Sequence, residues 1–229
     1  MRRAPAATLG IVNRILQGVL LDAAAVLAPV ACAGCGADDR ALCPACRAAL
    51  APALRYDRLD DGTPLVSALE YAGPVRQAIL AFKERGRTDV ARALARPLAA
   101  AMRDAAERIP FADAPAMCAV PSSRAAFRRR GYDPVSVVVR AAGWRPVPLL
   151  RHIRRHEEQK ALGQAERARN VVNSLAARHP VTGRRLIVVD DIVTTGATIT
   201  EAVRALRAAG GEVPFALTLA FTARTRSIL

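Results

Sequence analysis

Leu186-Ile187-Val188-Val189-Asp190-Asp191-Ile192-Val193-Thr194-Thr195-Gly196-Ala197-Thr198 is the stretch that decides the fold class. Four β-branched or aliphatic residues in a row, Leu186 to Val189, read as a strand buried on both faces, the pattern of a parallel sheet. The run meets two adjacent carboxylates, Asp190 and Asp191, and the expected strand ends there. Like charges side by side are costly unless a ligand or cation uses them. A small hydroxyl-rich loop follows, then an amphipathic helix with apolar positions at Ile199, Ala202, Val203 and Leu206 and a stop at Gly210-Gly211. Free N–H groups, threonine hydroxyls and the positive end of a helix dipole suit a phosphate. In an open parallel sheet this loop lies at the carboxyl ends of the strands, where ligands bind. Acids for a sugar diol and a loop for its phosphate is therefore the expected chemistry, ahead of a solvated strand end with Thr195 as an ordinary helix cap.

Other phosphate chemistries are excluded by spacing. Neither Lys83 nor Lys160 follows a glycine, so there is no P-loop, and Gly34-Cys35-Gly36 lacks the third glycine of a dinucleotide fingerprint.

With these residues on the page, the chain resembles a type I phosphoribosyltransferase and, more narrowly, is similar to the ComF family. Further stretches that carry the likeness are Tyr71-Ala-Gly-Pro-Val-Arg76, Phe82-Lys-Glu-Arg-Gly86, Val120-Pro-Ser-Ser-Arg124, Arg128-Arg-Arg-Gly-Tyr132 and the run from Gln159 to Val171. The resemblance implies a ligand, 5-phosphoribosyl-1-pyrophosphate (PRPP), with Mg2+ and an unknown acceptor. It implies that Asp190 and Asp191 contact the ribose hydroxyls, directly or through magnesium, and that Thr194, Thr195, Gly196, Ala197 and Thr198 hold the 5′-phosphate. Ser122, Ser123 and Arg124 would cradle pyrophosphate. The stretch from about Arg154 to Val171 stands where the family has a flap, with Gln159, Lys160, Arg167 and Asn170 as residues able to reach the ligand. Displacing pyrophosphate builds positive charge on the ribose and negative charge on the leaving group, so fixed cations serve it, and Arg124, Lys160 and Arg167 are assigned that task. Two departures stand out: Asp133-Pro134 replaces the Asn-Gln common after the Arg-Arg-Gly-aromatic run, and a second cysteine cluster seen in many relatives is missing.

Cys32-x2-Cys35-x7-Cys43-x2-Cys46 is a pair of C-x-x-C knuckles with four thiols within fifteen residues. That spacing suits structural Zn2+, and so short a segment folds only if the metal supplies free energy. A redox C-x-x-C or simply reduced thiols is the alternative. Cys118, in the apolar run Met117-Cys118-Ala119-Val120, reads as a buried inert thiol. The cysteine usage argues for a reducing compartment, hence a cytoplasmic protein.

The 229 residues suffice for one α/β domain and a small appendage. The expected architecture is an α/β, phosphoribosyltransferase-like parallel sheet with flanking helices over 61–229, preceded by an N-terminal helix and a four-cysteine zinc-binding module over 1–60. Strands are expected at 66–72, 117–120, 147–149, 186–190 and 213–220, and helices at 74–84, 89–108, 134–142 and 197–209. Residues 51–64 read as a connector. The N-terminal segment imitates a signal peptide, but Asn13, Arg14, Gln17 and Asp22 interrupt it while Ile11, Ile15, Val19 and Leu20 fall at helical spacing. No stretch is long and uncharged enough to span a bilayer. His152 and His156 read as surface residues.

The net charge of +14 fits an anionic substrate, yet exceeds what one needs and keeps nucleic acid open as a partner. Against it, Arg outnumbers Lys 32 to 2, as a GC-rich coding sequence would yield, and aromatics are not interleaved with the basic runs. Two readings follow. One is a magnesium-dependent phosphoribosyltransferase. The other is a non-catalytic protein of the same fold that binds single-stranded DNA among competence or DNA-processing proteins.

Overall fold

The computed structural model describes residues 30–109, 115–153 and 171–223. A two-stranded ladder opens it, β1 (Val30–Ala31) paired antiparallel with β2 (Asp38–Asp39), followed by the short helix α1 (Pro44–Ala48). Next come β3 (Arg55–Arg58), β4 (Pro64–Glu70), α2 (Gly73–Glu84), a 3-10 turn over Thr88–Val90, and α3 (Ala91–Arg108). β5 (Ala116–Ala119), α4 (Arg124–Arg130) and α5 (Pro134–Ala141) follow, then β6 (Leu150–His152), β7 (Leu175–Ala177), β8 (Leu186–Val193), α6 (Ala197–Ala208) and β9 (Ala216–Phe221).

The main sheet has the order β3-β4-β9-β8-β5. Four of its strands are parallel, as alternating strands and helices require. The fifth is a correction: β3, inside the segment read as a connector, pairs antiparallel with β4 through a hairpin, so the sheet is mixed. Its burial alternates along Arg55-Tyr56-Asp57-Arg58, the polar half-buried pattern of an edge strand, and so few residues give periodicity little to reveal. A second correction concerns 147–149. Only Pro146 bridges to Met117, and the regular strand begins at Leu150, pairing with β7 in a separate ladder. Prolines at 146 and 148 cannot donate to a ladder, which moves the strand past them.

Both faces of the sheet are covered. Ile187, Val189, Leu217 and Leu219 face α2, α3 and α5, and Leu42, Cys46 and Leu50 of the cysteine segment join that same core. Leu186, Val188 and Ala216 face α6 through Ile199, Val203 and Leu206. Leu186 to Val189 are thus buried on both sides, as their composition demands. Among the described residues no helix is long and apolar enough to cross a membrane.

Candidate functional site

The acid pair is not at the end of its strand. β8 runs on through Ile192 and Val193, which pair with Ala220 and Phe221 of the equally extended β9. Asp190 and Asp191 therefore sit within regular backbone, partly buried. The Asp191 N–H donates to Asp190 Oδ1 at 2.8 Å. Burial, followed by the charge of Asp191, raises the Asp190 carboxyl to about 7, against the opposing pull of that N–H bond and of Lys83. The cost of twin carboxylates is met by a residue not assigned from sequence: Lys83, in the last turn of α2, places its Nζ 2.7 Å from Asp191 Oδ2.

The hydroxyl-rich loop emerges directly from β8. Gly196 takes φ +85°, a left-handed conformation that favours glycine, and α6 begins at the next residue. The cap is Gly196 rather than Thr195, whose Oγ1 only accepts a long 3.4 Å bond from the Ala197 N–H. Thr194 and Thr195 are exposed, and Thr198 lies exposed in the first helical turn, where N–H groups have no partner within the helix. Arg55 and Arg58 of the β3–β4 hairpin line a cavity of about 80 Å3 together with Thr194, Thr195 and Gly196. Only the missed strand could have disclosed them.

β5 and β8 are parallel neighbours, with Ala119 in register with Val189, so the loop after β5 leaves the sheet at the same end as the acids. Ser123 caps α4, its Oγ accepting the Ala126 N–H at 3.2 Å. Asp133 explains its departure from Asn. One carboxylate oxygen caps α5 through the Ser136 N–H at 2.8 Å, and the other accepts the Ser122 N–H at 3.0 Å, so one side chain ties the loop to the following helix. Ser122 and Arg124 line a cavity of about 350 Å3 to which Arg128 and Arg178 also contribute. Arg178 is fixed there by a 3.2 Å bond to the Leu150 carbonyl. Four donor-bearing residues around such a hollow suit a polyanion.

Gln159, Lys160, Arg167 and Asn170 lie outside the described residues, as does His156. His152, read as a surface residue, is instead partly buried and its Nε2 lies 3.0 Å from the Pro121 carbonyl, while His152 pairs with Leu175 across the β6–β7 ladder. Glu201 of α6, nearly fully buried, accepts the Leu175 N–H at 3.0 Å and pairs with Arg204, fastening β7 to the helix behind the hydroxyl loop.

Cys32, Cys35, Cys43 and Cys46 place their sulfur atoms within 4.8 Å of one another, and the Cys35–Cys43 separation is 3.8 Å. A tetrahedral ion with bonds of about 2.3 Å to sulfur spaces its ligands about 3.8 Å apart, so the four thiols fit a structural metal such as zinc. Gly34 is required by close approach: a Cβ there would lie 2.7 Å from Cys46 Sγ. Burial works to raise Cys32, but N–H groups of Cys43, Cys35 and Gly34 overcome it and bring the thiol down to about 6. Burial, and then sharing of hydrogen bonds with the other three sulfurs, pushes Cys46 up. Cys118 is fully buried and raised to about 11 by that burial, an inert core thiol.

Residues 128–227 match the family described as "Phosphoribosyl transferase domain". The chain is 28% identical over 185 residues to "DNA utilization protein YhgH" of Escherichia coli O6:H1, covering 74% of this chain and 79% of that one. It is 28% identical over 150 residues to "Competence protein F" of Haemophilus influenzae, covering 62% and 66% respectively. Among solved structures, an adenine phosphoribosyltransferase aligns over 78% of this chain and 90% of its own at 16% identity, with a TM-score of 0.37.

Proposed function

We propose that the chain, which matches the phosphoribosyl transferase domain over 128–227 and is similar to a competence protein F, binds PRPP with Mg2+ and transfers the ribose 5-phosphate group to an acceptor, in the cytoplasm and in the setting of DNA uptake. The observation that carries this reading is the parallel pairing of β5 and β8, which delivers the Ser122–Arg124 loop, the acid pair and the Thr194–Thr198 loop to one end of the sheet. Asp190 and Asp191 hold the ribose hydroxyls, and the loop before α6 holds the 5′-phosphate. The bond from the anomeric carbon to pyrophosphate breaks, its electron pair leaves with the pyrophosphate, and the acceptor forms the new bond. Arg124, Arg128 and Arg178 stabilise that developing charge, with Lys160 and Arg167 as further cations for it. Carboxylate and phosphate oxygens are the hard donors magnesium takes; Asp190 and Asp191 are the residues that would hold the ion beside the ligand, and it would supply neutralisation of the leaving pyrophosphate.

Donor-dependent release of pyrophosphate at saturating magnesium is the test. Asp190→Asn and Asp191→Asn should each lower it by about 100-fold, the usual loss when one electrostatic contact to a reacting ligand is removed. Absence of both donor binding and turnover in the wild type would sink the reading.

The names of the relatives favour a second, compatible reading, contact with single-stranded DNA through the exposed Arg124, Arg128 and Arg129. The logarithm of affinity should then fall against the logarithm of salt with a slope of roughly −0.7 per phosphate contacted. Weak binding with no salt slope removes it.

A further inference from the structure

Phe82-Lys83-Glu84, at the end of α2, has no task in the proposed chemistry, yet each of its three side chains is engaged. The Phe82 ring lies 5.7 Å from that of Tyr132, and its carbonyl accepts the Tyr132 hydroxyl. Glu84 is paired with Arg129 at 3.2 Å and Arg130 at 2.8 Å. Those partners belong to the Arg-Arg-Gly-Tyr run that ends α4, so α2 is locked to the helix that follows the loop after β5. Lys83, held between these two anchors, can be aimed only where the frame directs it, and it meets Asp191 at 2.7 Å.

The ion pair is reachable from solvent, with about a fifth of each side chain exposed. Behind the pair, Lys83, Asp190 and Asp191 line a small hollow of about 10 Å3 whose other walls include Ile79, Leu98 and Val189. A space of about 10–15 Å3 is the minimum for one water molecule. That hollow has no room for a hydrated ion, so a divalent cation could meet Asp191 only from the solvent side, at the oxygen Lys83 already holds. An ammonium group carried on an aliphatic stem needs no shell of waters, since its stem packs on the apolar wall while its charge meets the carboxylate.

We propose that Lys83 is the resident cation of the acid pair. It takes the place a free divalent ion would otherwise fill on Asp191, so the pair meets the hydroxyls of a ligand already neutralised and binds no metal of its own before that ligand arrives. The metal that accompanies the ligand then enters on its phosphate oxygens. This rests on the acid pair being the diol site proposed above, but its test is read without any sugar phosphate, so a chain that never bound PRPP would still answer it.

Binding of Mn2+ alone, followed by the electron paramagnetic resonance signal of the free ion, provides the measurement on the full chain supplied with Zn2+ for the cysteine cluster. The wild type should hold no Mn2+ that Asp191→Asn removes. Lys83→Gln should gain one ion per chain, bound at least tenfold more tightly than anything at this site in the wild type, and Lys83→Gln/Asp191→Asn should lose it again. Lys83→Arg, which retains the charge, should behave as the wild type does. A wild-type site that binds Mn2+ and loses it in Asp191→Asn would overturn the proposal without recourse to any Lys83 variant. So would a Lys83→Gln protein that melts cooperatively and gains no ion.

Discussion

Replacing Cys46 by serine, or withholding zinc with a chelator, is expected to lower the melting temperature by about 10 °C and to release the segment from Val30 to Leu50 as a unit. The size of the effect follows from what the cysteines hold in place. Leu42 and Leu50 are buried in the same core as Val75, Ile79 and Phe82, so this short segment is part of the main hydrophobic cluster. Two such side chains are together worth about 3–6 kcal/mol when buried, and about 2–4 °C accompanies each kcal/mol in a domain of this size. The segment contains only two-residue strands and a five-residue helix, too little regular structure to keep those leucines in position unaided. Arg87 adds one tie, donating to the Ala31 carbonyl at 2.8 Å. Cys46 must give up its proton to bind, against a thiol pushed above its usual range, so metal uptake should release protons and weaken as pH falls. Metal content by mass spectrometry, scanning calorimetry and proteolysis at residues 30–50 check the result. Unchanged melting of a metal-free Cys46→Ser protein would favour a redox C-x-x-C or simply reduced thiols instead. Gly34→Ala should reproduce the loss more mildly, because its Cβ would strike Cys46 while leaving all four sulfurs in place.

The parts legible in the sequence are those whose physics is local. The β8–loop–α6 unit is legible because apolar run, acids, hydroxyls and helix period occur in consecutive residues, and the cysteine cluster because ligand spacing is itself a local property. What was missed depends on distant partners. Lys83 reads as an ordinary helix-end cation until the fold brings it to Asp191, far away in the chain. Arg178 carries no motif, and it meets Arg128 of the Arg-Arg-Gly-Tyr run only because β6 and α4 flank the same hollow. β3 is a short strand of mixed polarity, and its membership of the sheet is conferred by β4. The expectation that β8 ends at the acids failed for a related reason: propensity disfavours aspartate in strands, yet pairing with β9 carries the ladder past both of them.

That extension bears on function. An aspartate at a frayed strand end is hydrated and, above about pH 5, indifferent to pH, whereas one held in a ladder beside a second carboxylate is not. Asp133, which contributes to raising Asp190, and Lys83, which opposes it, are fixed by their own contacts, so the charge balance of the site is built into the frame around it. In place of Asn, Asp133 adds a negative charge on the side where pyrophosphate is proposed to bind. Asp133→Asn keeps one acceptor oxygen for a cap and removes that charge.

Asp190→Asn is expected to stabilise the ligand-free protein at about pH 8 by about 2 kcal/mol and to change it little at about pH 4. The Asp190 carboxyl titrates at about 7 in the folded chain and at about 3.9 when unfolded, so the folded state holds its proton more tightly. Stability drawn from that proton is complete below the unfolded value and is lost as pH rises from about 4 through about 7, where the folded protein must carry two adjacent negative charges. A shift of about three units sets an upper bound of about 4 kcal/mol, and partial exposure of the site halves it. Asparagine carries no charge in either state and abolishes this slope. Thermal melts of both proteins at about pH 4, 6 and 8 should therefore diverge steadily, the variant gaining about 4–8 °C at the alkaline end. The same substitution that steadies the empty protein should cost it the ligand, since a carboxylate that is uncomfortable alone is the one with most to gain from a sugar diol and its accompanying cation. Melting differences that stay constant across this pH range would mean that Asp190 is solvated, and that the acid pair is not poised for a partner.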